Sequence, residues 1–217
     1  MTTPRGVPGP HDDQPALWAG VALERARAGA IFVHGRGADA RDILGLAAEV
    51  DPGEVAFAAP DAAGHTWYPN SFLAPIEQNE PGISSGLRVI HALLERFDAA
   101  GIPSEKVLLL GFSQGACLTL EYGARHARRF GGIAGLSGGV IGPAGTPRDY
   151  AGSFDGTPVF LGCSDIDPHI PKARVEETAE VLGRMGAQVT MRLYPRMGHQ
   201  VNTDELSVVR DVLLGLV

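Results

Sequence analysis

The sequence predicts an α/β domain built on a mostly parallel, twisted sheet with helices on both faces and no large cap domain. Three observations carry this expectation. Short apolar runs alternate with helical patterns along the chain, and such alternation builds parallel sheets covered on both sides. The chain has 217 residues, 44% of them hydrophobic, which suits one domain with a sizeable core. No internal repeat and no linker divides it. The opening "MTTPRGVPGPHDDQP" is rich in Pro, Gly and Asp, so a flexible arm over 1–15 is expected ahead of a single domain over 16–217.

The elements follow in order. "AIFVHG" (30–35) reads as a buried strand ending in a Gly-rich loop. "DARDILGLAAEV" (39–50) has helical spacing, with Asp39 placed as its N-cap. "EVAFAAPDA" is a second strand, stopped by Pro60. The stretch 63–81 carries Trp67, Tyr68 and Phe72 among prolines and polar residues, the composition of a long ordered loop. "ISSGLRVIHALLERFDAAG" (83–101) is a helix: Leu87, Ile90, Leu94 and Phe97 share a face, and Gly101 stops it. A strand over 106–111 runs into a helix over about 113–128. "GGIAGLSGG" is another strand, followed by a Gly/Pro-rich loop over 140–156. "TPVFLGCSD" is the next strand, and "PKARVEETAEVLGRMG" a helix with Pro171 near its start and Gly186 at its end. "AQVTMRLYP" is the last strand and 204–216 the last helix.

Composition removes several function classes. The net charge is −7 with no basic block, so the electrostatic footprint of nucleic-acid binding or of adhesion to anionic membranes is missing. No run approaches the ~18 apolar residues of a membrane span, and the N-terminus has no apolar signal-peptide core. The two cysteines, Cys117 and Cys163, lie in apolar surroundings outside any CxxC pair and read as reduced core residues of a cytoplasmic protein.

In a parallel sheet of this kind, ligands bind beyond the carboxyl ends of the strands, so chemistry is sought just after each strand. G-x-S-x-G occurs twice, around Ser113 and around Ser137. Ser113 follows a dense apolar strand and opens a helix, the strand–turn–helix context of a nucleophile elbow. Ser137 runs into "GGVIGPAG", which cannot be a helix, and reads as a structural end-of-strand residue near the site. At an elbow, the helix N-terminus turns free N–H groups toward the reaction centre, and the N–H of Gln114 is placed to hold an oxyanion. A serine needs a base. Of seven histidines, His34, His169 and His199 fall at or after strand ends. His199, in "YPRMGHQV", is the candidate base. His34 opens "HGRGA", whose turn offers the N–H of Arg36 as a second oxyanion donor, while the His34 side chain braces that loop. The base needs a carboxylate to fix its tautomer. "LGCSDIDPHIP" offers Asp165 and Asp167. Singly, each piece has a plain structural use: Asp165 as a turn residue, Asp167 as a cap, His199 as a solvated loop residue. Together they stand in the chain order Ser, Asp, His of the α/β-hydrolase arrangement.

From 30 to the C-terminus, the motifs "FVHGRGA", "WYP", "GFSQGA", "DPHIP" and "MGHQ" resemble the phospholipase/carboxylesterase group of α/β-hydrolases, which includes the acyl-protein thioesterases and bacterial-type carboxylesterases. The resemblance implies an α/β-hydrolase fold, a triad of Ser113, one of Asp165 or Asp167, and His199, and an oxyanion hole from the N–H groups of Arg36 and Gln114. Relatives carry a single Asp, three residues after the strand-end glycine and directly before a P-x-V-P. Here Asp165 meets the first rule and Asp167 the second. Asp165 is preferred, with Asp167 as the alternative acid.

The connection 137–157 is too short and too rich in Gly and Pro for a helical cap, so the site is expected to be open. Trp67, Tyr68 and Phe72 are the candidates for an apolar wall beside Ser113. The expected substrate is a small-molecule carboxylic ester of short to medium acyl chain, or a thioester or lysophospholipid, with no metal and no cofactor. Any self-association is expected to be no more than a weak homodimer. The rival readings are a dienelactone-type hydrolase, which favours a cysteine nucleophile, and a non-catalytic binding module on the same scaffold. A metal hydrolase is disfavoured, because no H-E-x-x-H or H-x-H cluster occurs.

Overall fold

The computed structural model describes residues 9–217. Seven strands form one sheet in the order β1-β3-β2-β4-β5-β6-β7. They are β1 (Ala16–Gly20), β2 (Ala28–Val33), β3 (Val55–Pro60), β4 (Val107–Phe112), β5 (Gly132–Leu136), β6 (Pro158–Ser164) and β7 (Gln188–Tyr194). β1 pairs antiparallel with β3, and every other pairing is parallel. The helices are α1 (Ala40–Leu44), α2 (Ala47–Val50), α3 (Gly82–Ala99), α4 (Gln114–Arg125), α5 (Lys172–Arg184) and α6 (Thr203–Leu214).

Strand side chains alternate between two buried layers, as the pleat requires. Ile31, Val33 and Leu109 pack under α3, α4 and α5 with Ile90, Phe97, Leu118 and Leu182. Ala30, Phe32, Leu108 and Leu110 pack under α1, α2 and α6 with Ile43, Val50, Val209 and Leu213. With both faces covered, β2 and β3 are buried at every position, which is why their sequences read as unbroken apolar runs. Among the described residues, no helix is long and apolar enough to cross a membrane.

Three expectations need correction. The helix predicted over 39–50 is two short helices. Asp39 does cap the first, accepting from the N–H groups of Arg41 and Asp42 in a capping box with Asp42, but Gly45 and Leu46 interrupt the run. β1 was not predicted. It is a half-exposed edge strand, so "ALWAG" lacks the dense apolar character that marks the inner strands. The arm expected over 1–15 lies outside the described residues up to residue 8. From residue 9 onward it is docked. His11 is buried; it donates to Trp67 O from Nε2 (2.8 Å) and accepts Ala63 N–H at Nδ1 (3.0 Å). Asp12 pairs with Arg88 at 3.0 Å.

The carboxyl ends of β2, β4, β6 and β7 lie along one edge of the sheet, with β5 between β4 and β6, and each is followed by a candidate residue: His34, Ser113, the segment of Asp165 and Asp167, and the loop of His199. The connection from β5 to β6 carries no helix. It is tied down by the buried Arg174, whose Nη1 donates to Val140 O and Gly142 O at 2.7 Å each, and by Glu121, which accepts Ile141 N–H at 2.9 Å. No cap covers the strand ends among the described residues.

Candidate active site

Ser113 sits between β4 and α4 with φ 55° and ψ −117°, a left-handed conformation that costs a non-glycine residue about 1–3 kcal/mol. The sharp turn explains the flanking glycines. A Cβ on Gly111 would run into the carbonyl of Gly115, and a Cβ on Gly115 would run into the carbonyls of Val33 and His34. The helix therefore starts hard against the ends of β2 and β4. Ser113 N–H donates to Leu136 O at 2.9 Å, and Cys117 N–H returns to Ser113 O at 3.0 Å, closing the first turn.

His199 Nε2 lies 2.8 Å from Ser113 Oγ, and His199 Nδ1 lies 2.7 Å from Asp167 Oδ2. The ring also stacks at a tilt on Phe112 (centroids 5.0 Å apart) and meets His169 edge-on at 4.9 Å. The other Asp167 oxygen, Oδ1, accepts the N–H groups of His169 (2.8 Å) and Ile170 (3.0 Å). Burial alone pushes the Asp167 carboxyl up, but the hydrogen bonds from His199 and the two N–H groups outweigh it, and the acid is held below its ordinary range. An ionised Asp167 accepts from Nδ1–H, so Nε2 carries the lone pair toward the Ser113 hydroxyl.

The carboxylate on His199 is thus Asp167, not the preferred Asp165. Asp165 prolongs the β6–β7 ladder, donating its N–H to Tyr194 O (3.1 Å), and its exposed Oδ1 accepts Arg196 N–H (2.8 Å). It shapes the turn after β7. The chain needs two further residues to double back from β6 before a side chain can reach under His199.

His34 is fully buried. Its Nδ1–H donates to Gly35 O (2.7 Å) and its Nε2 accepts Ala62 N–H (3.1 Å), so it braces the loop. Burial lowers its pKa and keeps it neutral. Among the described residues, the backbone N–H groups of Arg36 and Gln114 engage no protein acceptor, and both residues line the cavity at Ser113.

The aromatic loop divides. Tyr68 and Phe72 line that cavity, but Trp67 does not. Its indole is fully buried, donates from Nε1 to His34 O (2.9 Å) and packs between the His34 and His11 rings, so Trp67 supports the loop from below. Two side chains with unsuspected roles pin the same loop. Gln114 accepts Trp67 N–H at Oε1 (2.9 Å) and donates from Nε2 to Tyr68 O (2.8 Å). The Arg36 guanidinium donates to the carbonyls of Tyr68, Pro69 and Asn70 at 2.8–3.0 Å. The sequence marks both residues for their backbone N–H alone, and carries no signal for these side-chain contacts. The open cavity measures about 450 Å³, with His169 and Ile170 on the side of His199. Ser137 is buried, with its N–H on Gly162 O at 2.7 Å, a structural place at the end of β5. Both cysteines are free and buried, and burial pushes each thiol up to about 12.

The family model for phospholipase/carboxylesterase matches residues 22–214. A crystal structure of a phospholipase/carboxylesterase from Dyadobacter fermentans superposes with a TM-score of 0.90 at 40% identity, covering 94% of this chain and 98% of the other. The carboxylesterase of Bacillus cereus shares the fold at 18% identity with a TM-score of 0.71, covering 94% of this chain and 95% of the other. Among curated proteins, acyl-protein thioesterase 1 of Gibberella zeae is 32% identical over 139 residues, 63% of this chain and 59% of that protein. The matched segments thus span about three-fifths of the length of such relatives. With the family pattern running across nearly all of the described sheet and helices, the chain belongs to the phospholipase/carboxylesterase family of α/β-hydrolases.

Proposed function

We propose that this chain is a serine carboxylesterase acting on carboxylic esters of short to medium acyl chain. The observation that carries the reading is the unbroken line from Asp167 through His199 to Ser113, with hydrogen bonds of 2.7 and 2.8 Å. Ser113 Oγ attacks the acyl carbon while its proton passes to His199 Nε2. The negative charge that builds on the carbonyl oxygen is held by the N–H groups of Arg36 and Gln114. Collapse breaks the bond to the alcohol oxygen, which takes the proton from Nε2. Water then repeats the sequence on the acyl-enzyme, releasing the acid and free Ser113. Asp167 stays ionised throughout and stabilises the imidazolium. The same steps serve a thioester, and the thioesterase names of several relatives make that the first extension to try.

The dienelactone-type alternative draws no support from the cysteines. The elbow residue is Ser113, and Cys117 is buried with its thiol pushed up to about 12, so it offers no thiolate. The reading is tested with p-nitrophenyl esters of two to sixteen acyl carbons on the wild type and on Ser113→Ala. Turnover that peaks at short to medium chains and vanishes in the variant is expected. A folded wild type inert to every ester would overturn it and favour a binding module.

A further inference from the structure

His169 is exposed and lines the cavity beside Ser113, yet hydrolysis through Asp167, His199 and Ser113 gives its side chain no task. Its ring meets His199 edge-on, with centroids 4.9 Å apart and planes at 75°. Its backbone N–H donates to Asp167 Oδ1 at 2.8 Å, while the other oxygen of the same carboxylate accepts from His199 Nδ1 at 2.7 Å. One buried carboxylate thus sets both histidines, and the place of His169 is tied to that of the base. Among the described residues, the His169 imidazole makes no hydrogen bond to the protein; only its backbone is engaged.

The direction of proton transfer fixes which part of a substrate lies there. The proton taken from Ser113 Oγ by His199 Nε2 is delivered to the departing oxygen, so the alcohol portion of the ester lies beside His199. Of the side chains lining the cavity, His169 is the one whose ring meets His199, and it borders that portion. A neutral imidazole both donates and accepts, and so does a hydroxyl, so the two pair with either tautomer. An anion would call for an imidazolium at position 169. A positive ring there would oppose the charge that His199 itself takes up as the proton moves. The rest of the lining is also poor in free charge. Besides the histidines, Arg36 is the one charged residue along it, and its guanidinium is committed to the carbonyls of Tyr68, Pro69 and Asn70. Asn70 and Ser71, both exposed, add neutral polar groups to the same cavity.

We propose that His169 is a specificity-determining residue that selects esters whose alcohol portion carries a second, neutral hydroxyl a few bonds beyond the ester oxygen, as in a monoacylated diol. The proposal rests on the esterase reading with Ser113 as nucleophile and deepens it by naming the alcohol that leaves.

The test pairs 2-hydroxyethyl butanoate with propyl butanoate, and 3-hydroxypropyl butanoate with butyl butanoate. Within each pair a hydroxyl replaces a methyl group, and the two pairs bracket the reach to His169. Release of butanoic acid is followed by titration at constant pH. The ratio of kcat/KM within each pair is compared between the wild type and His169→Phe, so that the intrinsic reactivity of the esters cancels. Phenylalanine keeps an aromatic ring against His199 and removes both nitrogens. The ratio is expected to fall about fivefold or more in the variant for at least one pair. Equal losses on the hydroxylated and plain esters overturn the proposal, because His169 would then act on His199 and not on the alcohol. Ratios that are the same in both proteins also overturn it. A wild type that turns over p-nitrophenyl butanoate but none of the alkyl esters overturns it as well and leaves the esterase reading intact. A wild type inert to every ester overturns the esterase reading and this proposal with it.

Discussion

Asp167 and His199 are joined at 2.7 Å across two loops that leave neighbouring strands, and Asp165, two residues earlier, is turned away to the N–H of Arg196. That division of labour between near-adjacent carboxylates gives the sharpest test of the site. Asp167→Asn would present an amide to His199 Nδ1 and favour the wrong tautomer, with kcat falling by about three to four orders of magnitude in a protein that still folds. Asp165→Asn keeps an oxygen for Arg196 N–H, so kcat should stay within about threefold and stability within ~1 kcal/mol. Steady-state kinetics with circular dichroism decide it. Comparable kcat losses in both variants would refute the assignment of a single orienting acid.

The inner strands and the elbow were legible because their signals are local. β2, β3 and β4 are buried on both faces and so are written as apolar runs, and the glycines around Ser113 mark a close approach that only a missing Cβ allows. What was not legible depends on where the chain goes after an element ends. Asp165 and Asp167 both satisfy a spacing rule, and only the path out of β6 decides between them. Sequence alone groups Trp67 with Tyr68 and Phe72, because all three share one aromatic loop. Its indole turns inward to His34 O, a choice that composition does not record. β1 and the docked His11 were missed for a related reason: a half-exposed edge strand and a Pro/Gly-rich lead-in gain their order from partners far along the chain.

Gly115 and Gly183 should respond oppositely to the same substitution. A methyl at position 115 meets the carbonyls of Val33 and His34, backbone atoms that cannot move without separating β2 from α4. Gly115→Ala is expected to lose about 2–3 kcal/mol and, with the elbow displaced, most of its activity. A methyl at position 183, on the exposed face of α5, meets nothing within 4 Å. Gly183→Ala should gain roughly 0.5–1 kcal/mol from helix propensity with unchanged turnover. Urea unfolding of both variants checks the pair.

Arg36 holds the aromatic loop as a fork. Its guanidinium donates to the carbonyls of Tyr68, Pro69 and Asn70, while its own N–H engages no protein acceptor among the described residues. Arg36→Lys keeps the backbone N–H and the charge but not the planar array of donors. KM should rise about five- to tenfold with a smaller change in kcat, and amide exchange over 66–72 should quicken. A kcat loss with KM unmoved would mean that the side chain acts on the chemistry rather than on the loop.

Glu205 should set part of the pH dependence of stability. Its carboxylate is buried at the start of α6, where Oε2 accepts Asn202 N–H (2.8 Å), while Oε1 lies unbonded against Gly162. Burial, with a contribution from the charge of Asp204 and against the bond from Asn202 N–H, raises its pKa from 4.5 to about 7. The folded protein therefore binds a proton that the unfolded chain has already released between those two values. Stability from this group falls as pH rises through that window and is level above it, a total on the order of 3 kcal/mol. Glu205→Gln stays neutral at every pH and still supplies an oxygen for the capping box. Relative to the wild type, the variant should gain stability from pH 5 to pH 8, so the difference in unfolding free energy between the two proteins should widen by a few kcal/mol toward the alkaline side. Chemical unfolding at the two pH values measures it directly. A difference that does not change with pH would place the Glu205 titration outside this window and its charge within reach of water.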